Sequence, residues 1–408
     1  MPIAGRMRLP PAERTWSETS RRGEPPEPML CIIRSSTCRI SPDIALRSRP
    51  FPIALSEMGR YLIKVRASAG GGRRPVRRAR RIPRRPAGPS RGPERYLSFF
   101  PHQGLRMHLR TWAMASRAPF FVAVIIPSIL GGAVACYDGS FDLPLFLFVI
   151  LGTVLAHAGT NFMNDYFDWR SGADLDNRDR TPFSGGSPFL PGGTLRPGSV
   201  LWAGLGCFSL GLLVAVYLAL RVGWPVLAIA GAGGFIGYFY TAPPLRLGYR
   251  GVGELATGLA MGPLTVIGVY YVMTGRFALE PVIASLPIGL LVAIILYVNE
   301  VPDYETDRRA GKRHLVVLLG KARAVRYLPV LFALVYASVV AGAALRIMPP
   351  WTLIALVTLP VSYNIVQVAA RSYNDTPRYI PAQARTIAVH SITGILLTAG
   401  YLIPAFLN

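Results

Sequence analysis

Long apolar segments follow one another along this chain from Ala118 onward. Each is about 20 residues long, which is the length that an α-helix needs to cross roughly 30 Å of hydrocarbon. The pattern predicts an all-α, polytopic membrane protein with about nine transmembrane helices around a central cavity that opens to the cytoplasm. The predicted spans are residues 118–137, 143–163, 199–220, 222–241, 254–273, 281–300, 324–345, 351–370 and 387–407.

The composition supports the same class of protein and sets the N-terminal region apart. Of the 408 residues, 51% are hydrophobic and only 16% are charged, which excludes an ordinary soluble enzyme of this size. Residues 1–100 hold 22 Lys and Arg against seven Asp and Glu, with abundant Pro and Gly. We therefore predict a basic, disordered N-terminal extension at 1–105 and a membrane domain at 106–408. Alternatively, translation begins near Met107 or Met114.

The distribution of basic residues predicts the orientation in the membrane. With nine spans, 19 Lys and Arg in or near the loops lie on the side of the N-terminal region, and three lie on the other side. The positive-inside rule then places the N-terminus in the cytoplasm and the C-terminus outside, in the cell (inner) membrane. Arginine is far commoner than lysine, as in GC-rich genomes, so the net charge of +23 does not indicate a nucleic-acid partner.

Two acidic stretches follow the second and sixth spans, on the predicted cytoplasmic side. They read NFMNDYFDWRSGADLDNRDRT at 161–181 and NEVPDYETDRRAGKR at 299–313. Helical spacing places oxygen-bearing side chains on one face of each stretch. These side chains are Asn161, Asn164, Asp165 and Asp168 in the first stretch and Asn299, Asp303 and Asp307 in the second.

Two facing sets of carboxylates repel each other unless a cation lies between them. Hard oxygen ligands suit Mg²⁺, whose coordination is commonly completed by substrate phosphates. One such motif alone is more often a solvated helix end, whereas two at matching membrane exits favour a metal site. A cavity that holds Mg²⁺ and opens into lipid suits a diphosphate with a hydrocarbon tail, such as a polyprenyl diphosphate. Arg180, Lys312 and Arg313 are candidates for binding the phosphate oxygens, with topology-setting charge as the alternative.

Loss of diphosphate from an allylic substrate leaves a carbocation, which aromatic rings stabilise. The aromatic residues at the ends of neighbouring spans are candidates for such a pocket, although interfacial tyrosines are common. These residues are Tyr238, Phe239, Tyr240, Tyr270 and Tyr271.

These motifs, with YTAPPLR at 240–246, resemble the UbiA superfamily of membrane prenyltransferases across about residues 110–408. The resemblance implies catalysis by Asp165, Asp168, Asp303 and Asp307 with Mg²⁺ as cofactor. It implies metal ligands at Asn164, Asp165, Asp168, Asp174, Asp303 and Asp307. It implies substrate-binding roles for Asn161, Arg180, Tyr240, Arg246, Lys312 and Arg313.

The first motif departs from the common family pattern, because Gly172 stands where another Asp is usual and Asp174 follows two residues later. This spacing resembles the branch that prenylates 1,4-dihydroxy-2-naphthoate in menaquinone synthesis. The expected partners are thus a polyprenyl diphosphate, an aromatic acceptor and the bilayer. The alternatives are 4-hydroxybenzoate or another lipophilic acceptor and, in a different class, a cation transporter.

Three residues in or directly after the second stretch leave questions open. Pro302 lacks a backbone N–H, so we expect the sixth helix to end or kink there. Glu300 and His314 are unexpected beside the motif and leave the acceptor undecided.

Overall fold

The computed structural model describes residues 101–173 and 179–407, and this part of the chain forms helices and loops without a strand. A short amphipathic helix, α1 (Pro101–Ala115), precedes the membrane domain. The longer helices that follow it are α2 (Val122–Tyr137), α3 (Leu143–Ser171), α4 (Pro197–Val222), α5 (Pro225–Phe239), α6 (Gly253–Thr274), α7 (Leu279–Arg309), α9 (Lys321–Ala344), α10 (Leu359–Ser372) and α11 (Thr376–Leu407). The single-turn helix α8 (Leu315–Leu319) joins α7 to α9.

Eight helical segments in the described residues are long and apolar enough to cross a membrane. They coincide with eight of the nine predicted spans, and α10 reaches this length with the 3₁₀ turns of Pro350–Thr358 before it. The fourth predicted span is the shorter apolar helix α5, of 15 residues. The all-α membrane architecture is therefore confirmed. Residues 1–100 of the predicted extension lie outside the described residues.

Helix α7 lies at the centre of the largest hydrophobic core. Most of its length is buried, and it packs against α6, α9 and α11. The crossing with α6 is close because glycines meet there: a Cβ atom on Gly258 would lie 2.7 Å from the carbonyl oxygen of Gly289. Because Gly258 lies about one turn from the start of α6, this close packing brings Glu254, in the first turn of α6, near Glu300 in the second acidic stretch.

Both helices that carry the acidic motifs continue past their predicted ends. Helix α3 runs to Ser171, where Gly172 takes the left-handed conformation with φ 82°. The sequence led us to expect an end or a kink at Pro302; helix α7 runs through Pro302 to Arg309, so an end there is wrong, and the kink stays a prediction. A proline removes only one backbone hydrogen bond, and the residues directly before and after it, Val301 and Asp303, are buried in the packed bundle. Each motif is thus carried on an unbroken helix.

Candidate active site

The two acidic motifs meet at one end of the bundle, and the ammonium of Lys312 lies between them. Its Nζ is 3.1 Å from Oδ2 of Asp168 on α3 and 3.0 Å from Oδ1 of Asp307 on α7. Lys312 is only 15% exposed. Lys312 therefore places one positive charge between the two motifs, and the Mg²⁺ expected there stays a prediction.

Asp168 is also held by a tyrosine from the loop between α5 and α6. The hydroxyl of Tyr249 donates to Oδ1 of Asp168 at 2.7 Å, and Lys312 and Arg246 lie 5.4 Å and 5.5 Å from the centre of the same ring. Burial, helped by the Asp168 carboxylate, raises the pKa of Tyr249. The phenol therefore remains a hydrogen-bond donor at physiological pH.

The first motif is anchored by the chain just before α2. Arg117 donates to Oδ1 of Asn164 at 2.9 Å and to Oδ1 of Asp165 at 2.6 Å. Arg117 has a left-handed backbone conformation, with φ 57°, which turns its side chain towards α3. Asn164 also donates to Thr241 at 2.9 Å, whereas Asn161 donates to the backbone carbonyl of Ser116. Asn161 therefore supports the loop of Arg117, and its predicted contact with substrate stays a prediction.

The second motif is held by the segment that follows α7. Both oxygens of Asp307 face cations, because Lys312 lies on Oδ1 and Nε2 of His314 lies 3.1 Å from Oδ2. Asp303 is buried one turn earlier. Burial alone lowers the pKa of His314, but Glu300 and Asp307 outweigh it and raise that pKa to about 10. The two carboxylates therefore favour the protonated imidazole.

The remaining predicted substrate-binding residues lie in the loops around this end of the bundle. Arg180 donates from Nε to the carbonyl of Gly185 at 2.9 Å. Arg313 is exposed, and its backbone N–H donates to the carbonyl of Tyr249 at 3.1 Å. The ring of Tyr240 packs against two glycines of the loop that leads into α6, Gly248 and Gly253. Asp174, a predicted metal ligand, lies outside the described residues.

Two of the aromatic candidates for the prenyl pocket lie at the end of the helix bundle opposite the acidic motifs. Tyr270 and Tyr271 lie near the end of α6, whereas the site lies at its start, about 25 Å away at 1.5 Å per residue. The hydroxyl of Tyr270 donates to Asp138, which also pairs with Arg276. The two tyrosines therefore do not line the pocket. Tyr238 instead packs edge-on against Phe167 and Phe208 beside the first motif.

Arg117, Tyr249 and His314 contact carboxylates of the motifs but were not predicted as site residues. Each reaches its partner through tertiary packing, and for Arg117 and Tyr249 the partner is 47 to 81 positions away in sequence. Of these three residues, only His314 stands out in the sequence, because it directly follows the phosphate-binding candidates Lys312 and Arg313.

The ligand set at this end suits a divalent cation of the Mg²⁺ type. Four buried or nearly buried aspartates and one asparagine offer only oxygen ligands, which hard cations prefer. The Asp168 and Asp307 carboxylates lie close enough together to share one positive charge, that of Lys312. The residues are Asn164, Asp165, Asp168, Asp303 and Asp307.

A helical membrane domain with facing carboxylate motifs and converging Lys and Arg side chains defines a polytopic membrane protein with a site for an anionic substrate. Residues 124–385 match the UbiA prenyltransferase family, and the chain belongs to this family. The protein is therefore an integral membrane prenyltransferase, and the predicted resemblance is confirmed.

Individual relatives agree with this assignment. The chain is 29% identical to the 1,4-dihydroxy-2-naphthoate octaprenyltransferase of Bacillus subtilis, over 71% of this chain and 92% of the relative. It is 30% identical to the 2-carboxy-1,4-naphthoquinone phytyltransferase of Synechocystis, over 72% and 93% respectively. Its fold is similar to that of a UbiA homologue from Archaeoglobus fulgidus bound to DMAPP and Mg²⁺, with a TM-score of 0.52, 17% identity and coverage of 71% of this chain and 99% of that one.

Proposed function

We propose that this chain transfers a polyprenyl group from an allylic diphosphate to 1,4-dihydroxy-2-naphthoate, in a reaction that depends on Mg²⁺ and serves menaquinone synthesis. The observation that carries the proposal is the cation-bridged pair of carboxylates, Asp168 and Asp307 on either side of Lys312. The acceptor is suggested by the naphthoate-type relatives and by the shifted spacing of Asp174. We place the site at the cytoplasmic face of the inner membrane, from the excess of basic residues on that side.

The first step is capture of the diphosphate by the two motifs. Asn164, Asp165, Asp168, Asp303 and Asp307 would hold Mg²⁺, with Asp174 as a further proposed ligand. When bound, Mg²⁺ supplies a Lewis acid that neutralises the charge growing on the departing diphosphate.

Lys312 has a second role once the diphosphate is present. Its ammonium contacts Asp168 and Asp307 in this structure, and we propose that it binds the phosphate oxygens of the diphosphate when that substrate is present. A cation placed at the leaving group stabilises the charge that develops there in the transition state. Arg246, which shares the Tyr249 ring with Lys312, lies near enough to act with it, and we propose the same role for Arg180 and Arg313.

Ionisation of the carbon–oxygen bond produces an allylic cation, which has to be kept from water until the acceptor attacks. The rings of Phe167, Phe208 and Tyr238 form a cluster next to the first motif. The centroid of the Tyr238 ring lies 6.1 Å from that of Phe167 and 6.4 Å from that of Phe208. Aromatic faces attract cations without acting as nucleophiles, so this cluster and Tyr240 are the proposed prenyl pocket. A ring carbon of the acceptor then attacks the cation, and the proton of that carbon passes to the departing diphosphate or to water, which restores the aromatic ring.

A cation transporter is the alternative from a different class. Such a protein places ionisable side chains near the middle of its membrane spans. In the part of the chain that the structure describes, every Asp and Glu of the spans lies within about three turns of a helix end, and the motif carboxylates pair with Lys and Arg at one end. This distribution favours a surface-facing site for a soluble head group over an ion pathway.

The test is product detection by mass spectrometry with purified protein in lipid nanodiscs. An allylic polyprenyl diphosphate is offered with 1,4-dihydroxy-2-naphthoate, 4-hydroxybenzoate or another phenolic acceptor, with Mg²⁺ or with EDTA. We expect a prenylated naphthoate that forms only with Mg²⁺. A product with 4-hydroxybenzoate alone would refute the proposed acceptor, and no product from folded protein with any acceptor would refute the proposed reaction.

A further inference from the structure

His314 starts the single-turn helix α8, and its ring lies between two carboxylates of α7. Nδ1 is 3.2 Å from Oε2 of Glu300, and Nε2 is 3.1 Å from Oδ2 of Asp307. The residue is 1% exposed. The contact between Nδ1 and Glu300 is an ion pair when the ring is protonated. Nδ1 also lies 3.4 Å from the backbone N–H of Val317, which donates to it when the ring is neutral.

A third buried carboxylate completes the surroundings of His314. Oε1 of Glu254, on the first turn of α6, accepts the backbone N–H of Leu315 at 2.8 Å. Glu254 and Glu300 are 3% and 6% exposed, and Oε2 of Glu254 has no hydrogen-bond partner among the described residues. The His314 ring thus joins α7 to the start of α8, and the backbone of Leu315 joins the start of α6 to it, in a place where uncompensated negative charge is costly.

Asp307 connects His314 to the proposed metal and diphosphate site. Its two oxygens are held from opposite sides, Oδ1 by Lys312 at 3.0 Å and Oδ2 by His314 at 3.1 Å. His314 is also only two residues beyond Lys312, so the buried ring fixes the backbone on which Lys312 is carried. The buried His314 ring therefore fixes the orientation of the Asp307 carboxylate and the position of the Lys312 ammonium.

We propose that His314 is a positioning residue, which holds Asp307 and the Lys312 segment in the arrangement that binds the metal and diphosphate, with Glu300 as its buried counter-charge. The inference rests on the proposed function, because the site it positions is the diphosphate site. His314 acts through Asp307 and Lys312 and has no direct contact with substrate.

The ligand atoms of Glu254, Glu300 and His314 lie within 4.8 Å of one another, which also permits a bound transition-metal ion. The contacts favour the ion-pair arrangement. Nδ1 already faces Glu300 at hydrogen-bond distance, and one oxygen of Glu254 is used by a backbone N–H. A metal at this place is therefore an outcome that the experiment has to distinguish.

The experiment compares wild type with His314→Gln, Glu300→Gln and the double variant in nanodiscs. Binding is measured as thermal stabilisation by Mg²⁺ at a fixed, saturating concentration of a polyprenyl diphosphate, so no turnover is needed. We expect His314→Gln to raise the half-saturating Mg²⁺ concentration about 10-fold or more, as loss of a partner that orients a metal ligand commonly does. His108→Gln, an exposed histidine on α1, is the matched control and should leave that concentration unchanged.

The double variant separates positioning from stability. His314→Gln alone leaves Glu300 buried without its counter-charge, whereas adding Glu300→Gln removes that charge. We expect the double variant to regain most of the lost thermal stability and to keep the raised Mg²⁺ requirement, because Asp307 still lacks its partner. A double variant that recovers both properties would show a merely structural role and overturn the proposal.

Two further results would contradict the inference. An unchanged Mg²⁺ requirement in folded His314→Gln would show that the residue positions nothing. Elemental analysis that finds one tightly bound transition-metal ion in wild type, lost in His314→Gln, would make His314 a ligand. Failure of the proposed function is seen separately, as wild-type protein that forms no prenylated product, whatever the His314 variants do.

Discussion

Replacing Lys312 with methionine tests the bridge between the two motifs most sharply. Methionine keeps most of the length and apolar volume of the side chain and removes the charge. The oxygens of Asp168 and Asp307 that lose their shared partner are at most about 6 Å apart, because each lies about 3 Å from the same nitrogen. They then face each other directly.

The size of the effect follows from Coulomb's law. Two like charges about 6 Å apart repel by about 3 kcal/mol at an effective dielectric constant of ~20. The side chain of Lys312 is 15% exposed, so solvent screens this repulsion only in part. We therefore expect Lys312→Met to lower the apparent Tm in metal-free buffer by about 5 °C or more. Turnover should fall by about 10²- to 10³-fold, because the diphosphate loses a cation at its leaving oxygens.

The assay is thermal unfolding with and without saturating Mg²⁺. A divalent ion restores positive charge between the carboxylates, so Mg²⁺ should stabilise Lys312→Met more than it stabilises wild type. Lys321→Met is the matched control, since Lys321 lies over the ring of Tyr304 instead of between the motifs. Equal stabilisation of wild type and Lys312→Met by Mg²⁺ would refute the reasoning.

Three further substitutions test other parts of the site and the fold. Tyr249→Phe keeps the ring beneath Lys312 but removes the 2.7 Å hydrogen bond to Asp168, and we expect kcat/KM in the product assay to fall about 10-fold. Arg117→Gln removes the guanidinium that holds the Asp165 carboxylate, so the Mg²⁺ concentration needed for turnover should rise about 10-fold. Arg196→Gln, at an exposed loop position, is the control and should leave that concentration unchanged. Asp138→Asn removes the carboxylate charge that pairs with Arg276 and weakens the hydrogen bond from Tyr270 at the opposite end, so it should lower the Tm and leave turnover per folded molecule intact; a loss of turnover would contradict the assignment of that end as structural.

The parts of the fold that follow from local patterns were predictable from sequence. Apolar length identified the spans, and helical spacing alone placed Asp165 and Asp168 on one face of their helix. The ends of the helices were less predictable. Hydropathy falls at Asn164 and at Glu300, but the backbone stays helical for about two more turns, because buried packing at this end supports it.

The partners of the motifs were not predictable, because they come from distant parts of the chain. Arg117 precedes α2 and Tyr249 precedes α6, and in the sequence alone each resembles an ordinary interfacial residue. The pairing of His314 with Glu300 was hidden for a related reason. Both residues were noticed as unusual, but only the turn after α7 brings them within 3.2 Å of each other.

The central claim is that α3 and α7 jointly hold one diphosphate through a divalent cation. The most direct measurement is calorimetric titration of a non-hydrolysable polyprenyl diphosphate analogue into wild type, Asp168→Asn and Asp307→Asn, each with Mg²⁺ and with EDTA. The account predicts binding to wild type only with Mg²⁺ and a large loss of affinity in both variants, because each removes a ligand from one half of the same site. Binding that survives EDTA, or that either variant retains in full, would contradict it.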